Sequence, residues 1–109
     1  MTDQETIEFD KLVRDHIPEL IRESGDHPEV HVADDSEYRR RLGEKLVEEA
    51  TEFRESGDTE ELADVLAVVG AICRADDVER AELEERGREK TRERGGFEER
   101  VVLERVRKR

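Results

Sequence analysis

A chain of 109 residues with 32 acidic and 20 basic side chains, a formal net charge of −12 and 33% hydrophobic residues is long enough for one small domain spanning residues 1–109. Its charge repels nucleic-acid backbones and anionic membranes, so neither is an expected partner. Cys73 is the single cysteine, which excludes an intrachain disulfide and a cysteine-based zinc site; no signal peptide and no membrane-length apolar run is present, and the expectation is a cytoplasmic protein.

The basic set is unusual, with sixteen Arg but only Lys11, Lys45, Lys90 and Lys108 as lysines. Abundant acid with scarce Lys reads as halophilic adaptation, because a salty cytoplasm screens the self-repulsion. High charge with low hydropathy also marks disordered chains. The apolar periodicity of residues 36–75 argues for order there.

In chain order, residues 1–8 form a polar lead without periodicity. In FDKLVRDHIPEL, Asp15 is the expected cap of a short helix with Pro18 in its first turn, running through Leu20 and Ile21 and stopping at Gly25. Lys11 and Arg14 precede it, either as an anion site or simply paired with neighbouring acids. The segment His27 to His31, HPEVH, superficially matches a zinc helix, but Pro28 and alternating Val30 and Val32 indicate an extended stretch. Asp34 with Glu37 reads as a capping box opening a long helix to about Glu55, and Asp58 with Glu61 repeats it for a helix ending near Arg74. Asp76 with Glu79 is the third such signal, opening a polar helix to about Arg94 that Gly95-Gly96 stops. The closing FEERVVLERVRKR predicts a short strand over Val101–Val106. The fold class is therefore mostly α, with short extended segments near the termini.

The two middle helices place carboxylates where a core should be. Leu42, Leu46, Ala50 and Phe53 form one apolar stripe, and at about 100° per residue Glu49 projects inside it, with Lys45 and Glu52 at its edge and Glu48 further round. In the run LADVLAVVGAIC from Leu62 to Cys73, Asp64 is the one charged residue, with Glu61 a turn before it. A carboxylate among aliphatic side chains must be protonated, paired or bound to metal. Packed antiparallel across the Ser56-Gly57-Asp58 turn, the pairs Glu49/Glu52 and Glu61/Asp64 would face each other, and Glu48 could join them. Four or five converging oxygens suit a hard divalent cation such as Mg²⁺ or Mn²⁺. The plainer alternative, that Glu48, Glu52 and Glu61 are solvated helix residues, leaves the isolated Asp64 unexplained. The helix 62–73 is apolar nearly all round, which points to a homo-oligomer, a dimer or higher.

Four blocks carry a resemblance: KLVRDHIPE at 11–19, KLVEEATEF at 45–53, EELADVLAV at 60–68 and KTRERGGF at 90–97. With the acidic motif Glu48-Glu49-x-x-Glu52 and Glu61-x-x-Asp64, the chain resembles the all-α nucleoside-triphosphate pyrophosphohydrolases, the MazG-like and phosphoribosyl-ATP-pyrophosphohydrolase-like group, over about residues 10–103. The resemblance implies an antiparallel helical bundle, usually oligomeric. It also implies Mg²⁺-dependent cleavage of a nucleotide between its α- and β-phosphates, releasing a monophosphate and pyrophosphate, often in a housecleaning role. On that reading Glu49, Glu52, Glu61 and Asp64 hold the ion, for which Mn²⁺ can substitute. Glu48 holds a second ion or orients the attacking water, so that Glu48 and Glu49 are the expected catalytic residues. Lys45, Lys11, Arg14, Lys90 and Arg94 are the expected phosphate-binding residues. The competing class is a non-catalytic acidic helical module for dimerisation or ion binding.

Overall fold

The computed structural model describes residues 5–109; of the polar lead 1–8, residues 1–4 lie outside the described part. Four helices follow in order: α1 Ile17–Glu23, α2 Asp35–Ser56, α3 Glu60–Ala75 and α4 Arg80–Arg94. The fold is mostly α, as the sequence predicts, and no strand forms among the described residues. The strand expected over Val101–Val106 is therefore corrected to irregular chain; a lone strand has no ladder partner for its backbone groups.

Local chemistry explains the boundaries. Asp34 caps α2 by accepting the backbone N–H of Glu37 at 2.9 Å. The reciprocal half of the box is missing, because the Glu37 carboxylate is bonded to His31 and Arg41 instead. α2 ends at Gly57, whose φ of +68° suits a residue without Cβ. The capping box expected of Asp58 with Glu61 is corrected: the Asp58 carboxylate accepts from the Glu60 N–H and its carbonyl from the Glu61 N–H, while Thr59 is the cap position of α3 and makes no side-chain bond.

Two further expected caps are corrected. Asp15 is not the cap of α1: His16 occupies that position and makes no side-chain cap. Asp76 does not open α4; it closes α3, and Asp77 follows at φ +57°. The Val78 N–H bonds back to the Cys73 carbonyl at 2.8 Å and the Asp77 N–H to Arg74 at 3.4 Å, the pattern of a left-handed helix stop. Aspartate tolerates that conformation better than most residues. α4 then starts at Arg80, with no side-chain cap.

α2 and α3 pack antiparallel as a hairpin, and it is the one extensive helix–helix contact among the described residues. Its buried residues are Leu42, Glu49, Val68 and Cys73, with Leu46, Phe53, Val65 and Ile72 half-buried. The expected stripe is corrected at one place: Ala50 is exposed, and Glu49 occupies the contact line. A single partner helix touches a narrow seam with alternating steps of four and three, here 42, 46, 49 and 53, which passes Ala50 by.

The rest of the chain adds little to this core. A radius of gyration of 19.5 Å and a long dimension of 72 Å contrast with the roughly 13 Å radius usual for this length. Leu62, Leu66 and Val47 remain exposed on the hairpin, as do Phe97, Val101, Val102, Leu103 and Val106 in the tail. No helix among the described residues is long and apolar enough to cross a membrane.

Candidate metal centre

The hairpin brings the five acids named from the sequence together through one residue, Glu49. Carboxylate oxygens of Glu48, Glu49 and Glu52 lie within 4.8 Å of one another, and so do those of Glu49, Glu61 and Asp64. The first group comes from successive turns of α2, and the second bridges α2 to α3. The chain reversal at Gly57 makes the two groups share Glu49, because residues equally far from the turn face each other across an antiparallel pair.

Glu49 is the deepest of the five, at 7% exposure. Its Oε1 lies 3.2 Å from Lys45 Nζ, while its Oε2 is buried with no hydrogen-bond partner among the described residues. Burial pushes its carboxyl above the usual carboxylate range, opposed by the hydrogen bond from Lys45 and reinforced by Glu52. An orphaned carboxylate oxygen beside other acids is an unoccupied ligand of the kind a hard cation takes. The residues present thus fit a divalent ion: all donors are carboxylate oxygens, and the buried one is unsatisfied.

Glu48 is held differently. Lys11 Nζ donates to its Oε1 at 2.8 Å and Lys45 Nζ to its Oε2 at 3.3 Å. The Lys11 bond is the main reason that its carboxyl lies below the usual range, helped by Lys45. The same pair raises the Lys11 ammonium. Arg14 donates to Asp64 Oδ1 at 2.8 Å. Lys11, Arg14 and Lys45, three of the five residues expected to bind phosphate, therefore all converge on the acids, where they pair with carboxylates. Lys90 and Arg94 do not: both are exposed on α4, and neither forms an ion pair or side-chain hydrogen bond with the five acids. The cavity of about 480 Å³ lined by Gly70, Cys73, Arg74, Val78 and Arg80 sits where α4 leaves α3, not at the carboxylates.

One residue at this face went unnoticed in the sequence. Arg41, whose side chain is 12% exposed, donates to the Asp10 carbonyl at 2.7 Å, to Asp10 Oδ1 at 2.9 Å and to Glu37 Oε2 at 3.0 Å. It lies one turn before Lys45 on the same side of α2. The i,i+4 spacing from Glu37 was the only available signal, and it is common on solvated helices.

No family model matches the chain, and no solved structure matches it. The chain is similar to an uncharacterized protein of Mycolicibacterium smegmatis, 49% identical over 53 residues. That match covers 49% of this chain and 53% of the relative, so the similarity spans about half the length of each.

Proposed function

We propose that the protein is a Mg²⁺-dependent nucleoside-triphosphate pyrophosphohydrolase of the MazG-like type, cleaving between the α- and β-phosphates. The observation that carries this reading is the buried, unpartnered Oε2 of Glu49 at the junction of two carboxylate groups. Glu49, Glu52, Glu61 and Asp64 would hold the ion, with Mn²⁺ able to replace it. When bound there, the ion would supply charge neutralisation on the phosphate oxygens and a lowered pKa for the attacking water. Lys45 beside Glu48 favours its ionised form, which fits it to accept a hydrogen bond from that water and orient it. Lys45, half-buried between Glu48 and Glu49, stands where it can also meet a phosphate oxygen. Lys11 and Arg14 approach from the segment before α1 and serve the same anion.

Assembly belongs to the same reading. Exposed Leu62 and Leu66 on α3 and the long, thin shape of the single chain support a homo-oligomer in which a second copy covers the open face of the hairpin. Lys90 and Arg94 would then act, if they bind phosphate, from a partner subunit. That open face equally supports the second reading, a dimerising ion-binding module without turnover. Halophilic adaptation and a cytoplasmic setting remain part of the proposal, on the Arg-rich, acid-rich composition.

The test is turnover with Mg²⁺ or Mn²⁺ in molar salt on a panel of nucleotides that includes damaged and non-standard bases, with products identified. Monophosphate and pyrophosphate are expected. Orthophosphate as the first product of every active substrate rules out the α–β cut, and an inert panel with tight metal binding favours the module.

A further inference from the structure

Lys11 and Arg14 each neutralise one member of a different carboxylate group. Lys11 takes Glu48 from the first group and Arg14 takes Asp64 from the second, both at 2.8 Å and across 37 and 50 residues of sequence. These contacts carry the chain from α2 to α3 over the acids. The crossing is anchored at its start. Asp10 turns the backbone at φ +45°, an uncommon value for a residue with a side chain, and both its carbonyl and its carboxylate are held by Arg41. Arg41 is in turn fixed by Glu37, which His31 also contacts at 2.8 Å.

Beyond the anchor the grip loosens. The side chains of Lys11 and Arg14 are 39% and 64% exposed, against 12% for Arg41. Half-exposed pairs are weak, and a divalent ion outcompetes a monovalent ammonium or guanidinium for carboxylate oxygens when several converge. The unsatisfied Glu49 Oε2 beside them gives that ion a further ligand that neither cation reaches.

We infer that residues 10–14 form a strap in which Lys11 and Arg14 stand in for the metal as counter-cations, yield Glu48 and Asp64 when the ion binds, and are then free to take phosphate. Arg41 is the positioning residue of the strap: it touches no phosphate but keeps Asp10, and so Lys11, beside the acids after the ion pairs open. The inference rests on the proposed metal site and adds an exchange of cations to it. Its signature is two effects of opposite sign, since the same side chains oppose the metal and favour the phosphate. Ammonium and guanidinium groups both recognise phosphate oxygens, the latter in bidentate fashion.

The experiment is calorimetric titration with Mn²⁺, in one molar salt concentration throughout, of the wild type, the double variant Lys11→Met/Arg14→Met, and Asp64→Asn. Inorganic pyrophosphate is then titrated into each Mn²⁺-loaded protein. The double variant is expected to bind Mn²⁺ about three- to tenfold more tightly and pyrophosphate more weakly than the wild type. Limited trypsinolysis gives a second readout: cleavage after Lys11 and Arg14 should quicken when Mn²⁺ is added to the wild type. Asp10→Gly, which suits the positive φ and removes the carboxylate held by Arg41, should show that faster cleavage already in EDTA. If the wild type binds stoichiometric Mn²⁺ that Asp64→Asn abolishes, yet the double variant binds it equally or less well, the strap is overturned and the metal reading stands. If the wild type binds no stoichiometric ion, both fall together.

Discussion

α3 and α4 are neighbours in the chain and nearly equal in length, at 16 and 15 residues, yet they meet opposite fates. α3 lays Val65, Val68 and Ile72 against α2 and carries Glu61 and Asp64 to Glu49 with them. α4 has one large apolar residue, Leu83, at 42% exposure, and holds itself together with ion pairs such as Arg86–Glu82 at 2.9 Å and Arg92–Glu85 at 2.8 Å. Both are helices, so helicity did not require packing. What α4 lacks is an apolar stripe, and without one nothing fixes its position against the hairpin. Solvated pairs contribute only a few tenths of a kcal/mol each, enough to bias a helix but not to orient one. A multi-carboxylate site needs oxygens fixed to within fractions of an ångström, and only the hairpin has the seam that can supply such register.

The contrast should be widest in turnover. On the proposed metal reading, Asp64→Asn is expected to lower it by about a hundredfold or more, because a lost ligand would remove charge stabilisation at the phosphates, whereas Glu85→Gln on α4 should leave it unchanged. The same Asp64 change should hardly touch the apo fold. Its partner Arg14 is 64% exposed, so the pair contributes at most about 1 kcal/mol, and relief of repulsion among the acids offsets that. Thermal melts in EDTA and then in Mg²⁺ decide the point. A large loss of stability in EDTA with metal affinity intact would make Asp64 a structural residue.

Stability should divide along the same line. Leu42→Ala removes a side chain that is 3% exposed at the hairpin seam and should cost about 2–3 kcal/mol, while Leu83→Ala on α4 should cost less than about 0.5 kcal/mol. Urea titrations of both, followed by circular dichroism at one fixed salt concentration, give the difference. Equal losses would mean that α4 packs on something as firmly as α3 does.

A smaller effect sharpens the account of Glu49 itself. Its folded-state pKa is raised by burial, so folding favours the protonated acid, and this contribution to stability falls as pH rises from the unfolded value of about 4.3 through the raised one. Glu48 works the other way: its lowered pKa stabilises the fold above the unfolded value, and that contribution is lost as pH falls through the lowered one. Glu49→Gln removes only the first contribution. The variant should match the wild type below the unfolded value and become the more stable of the two as pH rises through the raised one in EDTA, an advantage that Mg²⁺ should erase. Parallel melt curves for the two proteins across pH 4–8 would show that Glu49 carries no such penalty.

The sequence by itself determined where the helices lie and which acids share a side of them. Asp34, Gly57 and Gly95 act on their own backbone within a turn, and four- and three-residue spacings put Glu49, Glu52, Glu61 and Asp64 on one side of their helices whatever surrounds them. Cap positions slipped at Asp15 and Asp76, because several polar residues in a row can each end or start a helix and their competition is settled by neighbouring turns. Tertiary structure alone decided the rest. That α3 contacts α2 along a narrow seam left Ala50 exposed beside Glu49, which its place in the stripe already marked for burial, and left the Glu49 Oε2 without a partner among the described residues. Lys11 reaches Glu48 across 37 residues, Arg14 reaches Asp64 across 50, and Arg41 holds Asp10 across 31. A periodicity reports which way a side chain points from its own axis, while ion pairs at such separations depend on how two axes and a connecting segment lie in space, which no local pattern encodes.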